Sequence, residues 1–146
     1  MNTFYISTPA GVWQFSLAHS EEKLNIRAGN FTNDGLIREA NIKTPGSLSS
    51  LNKDVLLIVD EGTHSLRVAN LQTGLVSSIC KPHDSNALAV GNISDCKLHR
   101  PKYLAHEPGP QNGSIYIGGT GIHFLTYVTI KNLNETSKFQ NAIQKI

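Results

Sequence analysis

The chain has 146 residues, about one domain, and a formal net charge of +2. Charged residues make up only 16% and hydrophobic residues 39%, with 12 glycines and 6 prolines. This balance suits short strands and turns, excludes an acidic tail, and gives no strong electrostatic footprint for nucleic acid.

No run approaches the roughly 18 consecutive apolar residues of a membrane span, so none is expected. The opening stretch, MNTFYISTPAGVWQF, lacks the basic and apolar regions of a secretory signal. The expectation is an intracellular protein, or one whose true N-terminus lies upstream. Residues 4–7 and 11–17 read as a strand pair, and 24–28 as the end of a first, partial unit. Trp13 and Phe15 sit at strand spacing and are expected in the core.

Two longer stretches then repeat each other. EANIKTPGSL (39–48) aligns with DCKLHRPKYL (95–104) at an offset of 56. Ala40 falls on Cys96, Ile42 on Leu98, Pro45 on Pro101 and Leu48 on Leu104. IVDEGTHSLRV (58–68) aligns with IGGTGIHFLTY (117–127) at an offset of 59, placing Ile58 on Ile117, Gly62 on Gly121, His64 on His123 and Leu66 on Leu125. Each copy reads as an apolar strand, a Gly-containing turn and a second strand. The better covered unit predicts strands over 46–50, 55–60, 64–71 and 74–80, with turns at Gly62 and at Asn70–Gly74. Four short strands repeating at a period in the fifties predict an all-β chain of consecutive four-stranded antiparallel units, a partial β-propeller. Stacking of such units explains a strand such as LLIV, apolar on both faces. The units fall at about 1–28, 29–81 and 82–130.

The residues from 131 to 146 leave this pattern. Phe139, Ile143 and Ile146 have helical spacing, and Ser137 with Gln140 resembles a capping box, so a short C-terminal helix is expected. The other reading is an outer strand, KFQNAI, in the place of LVSSIC.

The repeated residues resemble NHL repeats. The resemblance rests on Asp34-Gly35, Ala40, Ile42 and Pro45, then LIVDEGTHSLRV, then Thr73-Gly74 and the strand to Cys80; the last unit keeps Gly91, Leu98, Pro101 and YIGGTGIHFL. It covers residues 4 to 128. Departures occur at Thr63 and Ile122, at Ser65 and Phe124, and at Gly119 in the place of Asp60. The resemblance implies a β-propeller, which members of that family usually close with about six blades. Two fairly complete blades and part of a third are present here, so assembly with missing blades is a further expectation.

Cys80 falls on Ala28 and Cys96 on Ala40 when the units are superposed. Two small-to-Cys changes around one connection predict a contact and a disulfide; the other reading is two buried thiols packed as small apolar groups. Four sequons, at Asn30, Asn92, Asn112 and Asn134, are candidate glycosylation sites. With the cysteine pair they favour an extracellular protein, against the missing signal.

No nucleophile elbow, phosphate-cradling loop, paired carboxylates or clustered metal ligands occur, so no catalytic, cofactor-binding or metal-binding residue is assigned. The expected function is a non-catalytic binding or scaffold module that presents inter-blade loops to a protein partner. Glu61, His64 and His123 are placed on the binding face, with 34–40, 81–97 and 120–123 beside them. The resemblance also admits RNA binding through a basic face, to which the run HRPKY (99–103) could contribute. The alternatives are a metal-dependent propeller lyase or hydrolase, for which the innermost strands offer little beyond Tyr103 and His106, and a truncated non-functional product.

Overall fold

The structure, a computed structural model, describes residues 3–16, 25–28, 33–82, 96–109, 112–120, 126–131 and 143–145. Among these the chain is built of β-strands and a single 3-10 turn. The strands are β1 (Thr3–Thr8), β2 (Gly11–Ser16), β3 (Asn25–Ala28), β4 (Gly35–Leu36), β5 (Asn41–Ile42), β6 (Pro45–Asn52) and β7 (Val55–Asp60). After the turn Glu61–Thr63 come β8 (Ser65–Asn70), β9 (Leu75–Pro82), β10 (Lys97–Leu98), β11 (Pro101–Glu107), β12 (Asn112–Gly119), β13 (Thr126–Lys131) and β14 (Ile143–Lys145).

They form three sheets. The first has the order β1-β2-β3-β5, the second β10-β9-β8-β7-β6 with β4 also paired to β9, and the third β11-β12-β13-β14. Consecutive long strands are antiparallel, whereas β3–β5 and β9–β10 are short parallel pairs that hold the lead-in of one unit against the last strand of the unit before. The four strands expected in the central unit are all present.

The two sequence offsets reappear as register. Leu48 lies opposite Ile58 in the second sheet, and Leu104 opposite Ile117 in the third. Both pairings carry an irregularity just after the shared proline, between Pro45 and Leu48 and between Pro101 and Tyr103. The change of offset from 56 to 59 is absorbed at the next turn. Asn52 faces Val55 in one unit, while Glu107 faces Ser114 in the other.

The core follows from period-two alternation along β7, whose six residues are all buried. Val55, Leu57 and Val59 join Leu66, Val68, Ile115 and Ile117 in a cluster toward the third sheet. Leu56 and Ile58 join Val12, Ile26, Ile42 and Ala69 in a cluster toward the first. The second sheet is thus covered on both faces, which its apolar run requires.

The C-terminal helix is corrected where the structure describes the tail. Ile143–Lys145 are a strand, with Val128 opposite Ile143 and Thr126 opposite Lys145. The edge of β13 offers unpaired backbone groups, and pairing there satisfies them along with those of the tail. Residues 132–142 and 146 lie outside the described residues. Trp13 is corrected too. It lies opposite Ile6, half-buried on the first sheet's outer face, and its indole N–H donates to Thr8 Oγ1 at 3.0 Å.

Candidate recognition surface

The first hairpin closes on Thr8 and the second on Asp60. By register Gly119 stands in the same position in the third sheet, opposite Pro101 as Asp60 lies opposite Pro45. Thr8 Oγ1 accepts from the Ala10 N–H at 3.2 Å. Asp60 does more. Its carboxylate accepts from the backbone N–H groups of Lys43 at 3.0 Å, Thr44 at 2.9 Å and Gly62 at 3.2 Å. It is fully buried, and those donors offset the cost of burying its charge. At Gly119 the lead-in comes closer, so that a Cβ would overlap the Arg100 carbonyl and the Pro101 Cα. Close backbone approach is the physical reason for glycine in the place of aspartate.

The Asp60 carboxylate and the Lys43–Thr44 backbone fix the turn that carries Glu61 and His64. The Glu61 N–H donates to the Thr44 carbonyl at 2.9 Å. Gly62 packs so tightly that a Cβ would lie 2.5 Å from Thr44 Oγ1 and 2.8 Å from Lys43 Cγ. His64 ends the turn in the left-handed region, with φ 54°. Its ring meets His99 edge-on, with centroids 4.9 Å apart. His99 belongs to the lead-in of the third unit, so this contact links two units on the candidate surface. His123 and residues 83–95 lie outside the described residues.

The structure does not keep the whole expected face together. Gly35 and Leu36 pair with Val76 and Leu75 on the outer edge of β9, and the Ile37 N–H donates to the Gly74 carbonyl at 2.8 Å. The connection between the first and second units therefore reaches the opposite end of the sheet, beside the β8–β9 turn, before it returns to β5. That end also holds a cleft of about 290 Å³ lined by Val55, Val68, Asn70, Thr73, Val76 and Ser77.

A charged residue unremarked in the sequence organises this connection. Arg67 on β8 is fully buried and faces the first sheet beside Ala69. Its guanidinium donates to the Asn33 carbonyl at 2.7 Å and to the Asn41 carbonyl at 3.5 Å, and meets Asp34 at 3.0 Å. Burial lowers its pKa, opposed by the charges of Asp34 and Asp60. The Nε atom has no partner among the described residues. A lone arginine inside an apolar strand of a doubly covered sheet is the signal that would have found it.

Cys80 and Cys96 are joined by a disulfide, with Cα atoms 4.8 Å apart and both residues fully buried. The register revises one of their counterparts. Leu66 lies opposite Cys80 as Val12 lies opposite Ile26, so Cys80 stands in the place of Ile26 rather than Ala28. Ala40 remains the counterpart of Cys96, and both Ile26 and Ala40 are buried. Of the four sequons only Asn112 falls on described backbone, at the start of β12 opposite Lys131; Asn30, Asn92 and Asn134 lie outside it.

Among the described residues no three His, Cys, Asp or Glu side chains converge as a metal site would require. Among the described residues no helix is long and apolar enough to cross a membrane. Of the two residues considered for an enzymatic site, both on β11, Tyr103 points outward and is 62% exposed. His106 is half-buried, with a buried Nε2 that has no partner among the described residues. No protein-family model matches the chain, and no curated protein is detectably similar to it.

Proposed function

We propose that the three sheets are successive blades of an NHL-type β-propeller and that the chain is a non-catalytic recognition module for a protein partner. One observation carries the reading. The pairing of Leu48 with Ile58 recurs as Leu104 with Ile117, in sheets packed on each other through the faces those residues help to form. Stacked sheets with a repeated register are what a propeller is made of. The partner docks on the surface formed by Glu61, His64 and His99, where a rigid turn carries half-exposed polar side chains and two units meet.

The test is affinity capture from the native source with two double variants. Glu61→Ala with His64→Asn alters the proposed surface, the asparagine tolerating the left-handed backbone. Lys53→Ala with Gln72→Ala alters the opposite end. The expected result is that one stoichiometric partner disappears with the first pair and persists with the second. Loss with the second pair alone moves the site to the end that carries the 290 Å³ cleft.

A further inference from the structure

Among the described residues two that are not glycine hold a left-handed backbone, His64 with φ 54° and Arg100 with φ 46°. Both lie on the recognition surface. His64 ends the turn, and Arg100 follows the His99 whose ring His64 meets. That backbone is uphill for any residue with a Cβ. At Arg100 it is uphill twice, because a residue before proline is driven toward extended conformations and Pro101 comes next. Packing holds it there, with Gly119 close against the Arg100 carbonyl and the Pro101 Cα. Strain of this kind persists where the surroundings over-determine it, and it gathers at ligand-binding segments.

The same surface carries an imbalance of charge. Lys43, Arg100 and Lys102 are exposed. The Lys43 stem lies against Gly62, in the turn that His64 closes. The Lys102 carbonyl approaches Gly46 of the second sheet, and the Lys102 ammonium lies 5.9 Å from the centre of the exposed Tyr103 ring. Over 43–44, 60–64 and 99–102 the acidic residues are Asp60 and Glu61. Asp60 is buried and holds three backbone N–H groups, so Glu61 alone of these offers negative charge to a partner. The opposite end is balanced. There Lys53 is followed by Asp54, and Arg38 pairs with Glu39 at 3.2 Å.

We infer that the partner presents an acidic peptide segment to this surface, its carboxylates meeting Lys43, Arg100 and Lys102 around the contact of His64 with His99. The inference rests on the recognition reading above and names the chemistry of that partner. Three cations against one carboxylate give a positive local field, and complementary charge steers and orients association. Arg100 adds a planar fork that takes a carboxylate through two N–H groups at once. The held backbone fixes where that side chain starts, so less freedom is lost on binding. A peptide fits this arrangement better than a nucleic acid does. Phosphates follow one another along a polymer and need a track of cations. Here the three gather where the second and third units meet, with Glu61 among them and a formal net charge of only +2 over the 146 residues.

The experiment is fluorescence anisotropy of the 146-residue chain with three labelled probes. They are a short peptide of alternating glutamate and serine, the same peptide with glutamine for glutamate, and an oligouridylate of equal length. The acidic peptide is expected to bind saturably and to weaken as salt is raised, and the glutamine peptide to bind at least about tenfold more weakly. Lys43→Ala, Arg100→Gly and Lys102→Ala are each expected to weaken the acidic peptide about two- to fivefold, and the triple variant about tenfold or more. Lys53→Ala, at the opposite end, is expected to leave it unchanged. Glycine keeps the left-handed backbone at position 100; circular dichroism confirms that each variant is folded, and Arg100→Asn replaces Arg100→Gly if it is not. Equal binding of the glutamate and glutamine peptides overturns the proposal. So does a loss with Lys53→Ala as large as that of the triple variant. Tighter binding of the oligouridylate than of the acidic peptide also overturns it and assigns the surface to nucleic acid. A chain indifferent to the acidic peptide that still loses its captured partner on Glu61→Ala with His64→Asn removes this inference and leaves the recognition reading standing.

Discussion

Cys80 is bonded to Cys96 in the place where the preceding unit sets Ile26 beside Ala40. Two solutions to one packing problem thus occur in a single chain. Each joins the last strand of a unit to the lead-in of the next, one by covalent bond and one by apolar contact. With the cysteines 16 positions apart, the bond is worth about 3 kcal/mol through loss of unfolded-state entropy. Cys80→Ala with Cys96→Ala is expected to lose about that amount in urea unfolding. Cys80→Ile with Cys96→Ala, which copies the first unit, should recover about 1 kcal/mol through restored burial. Equal stability of the two double variants would show that the site cannot accept the first unit's packing.

Arg67 supplies a second prediction, in which its partners are unequal. The side chain of Asp34 is 52% exposed, so the ion pair is screened and Asp34→Ala should cost less than about 1 kcal/mol. The Asn33 and Asn41 carbonyls depend on the guanidinium, and Arg67 fills buried volume between two sheets. Arg67→Ala is expected to cost about 3–5 kcal/mol. Denaturant midpoints of the two variants test the ranking, and raised salt should move the Asp34→Ala difference toward zero.

Stability should also rise with pH through the histidine range. Burial lowers the His106 pKa below its ordinary 6.5, with the Ser50 backbone acting in the opposite direction. Between the lowered folded value and 6.5 the unfolded chain binds a proton that the folded chain refuses. The stabilisation is therefore complete above about 6.5 and is lost as pH falls through the folded value. Urea midpoints from about pH 5 to pH 7.5 should climb, and His106→Gln should flatten the climb.

Neighbouring glycines in the third sheet should respond very unequally to alanine. At Gly119 a methyl group meets the Arg100 backbone, which has to move, at a cost of about 1–3 kcal/mol. At Gly118 nothing lies within 4 Å of the position a Cβ would take, and the change should stay within about 0.5 kcal/mol. Thermal unfolding of the two variants is the measurement.

The strands were legible because repetition reinforces alternation. Pro45 with Pro101 and Ile58 with Ile117 marked equivalent places before any pairing was known, and the register confirms both offsets. The disulfide was legible as a contact, but one of its counterparts was set two residues off, because short apolar strands align equally well at Ile26 and Ala28. The tail was misread for a similar reason. Three apolar residues at helical spacing cannot outweigh an open strand edge, and Ile143–Lys145 pair with β13. The path of 34–40 left no side-chain signature, since Gly35 and Leu36 are held by backbone pairing to a distant strand. On the recognition surface, Glu61 and His64 could be placed from the hairpin motif. The contact of His64 with His99 could not, because it joins residues 35 positions apart in two different units.

Burial of β7 on both faces has a consequence for synthesis. The residues that shield Leu56 and Ile58, such as Val12, Ile26 and Ile42, precede them in the chain. Several of those that shield Val55, Leu57 and Val59, including Leu98, Ile115 and Ile117, follow some forty to sixty positions later. A ribosome delivering the chain from its N-terminus therefore completes one side of this strand first. The other side stays wet until about sixty more residues have emerged, several seconds at ordinary elongation rates. During that interval the nascent chain presents a row of three β-branched and leucine side chains on a finished sheet, the surface a chaperone would need to cover.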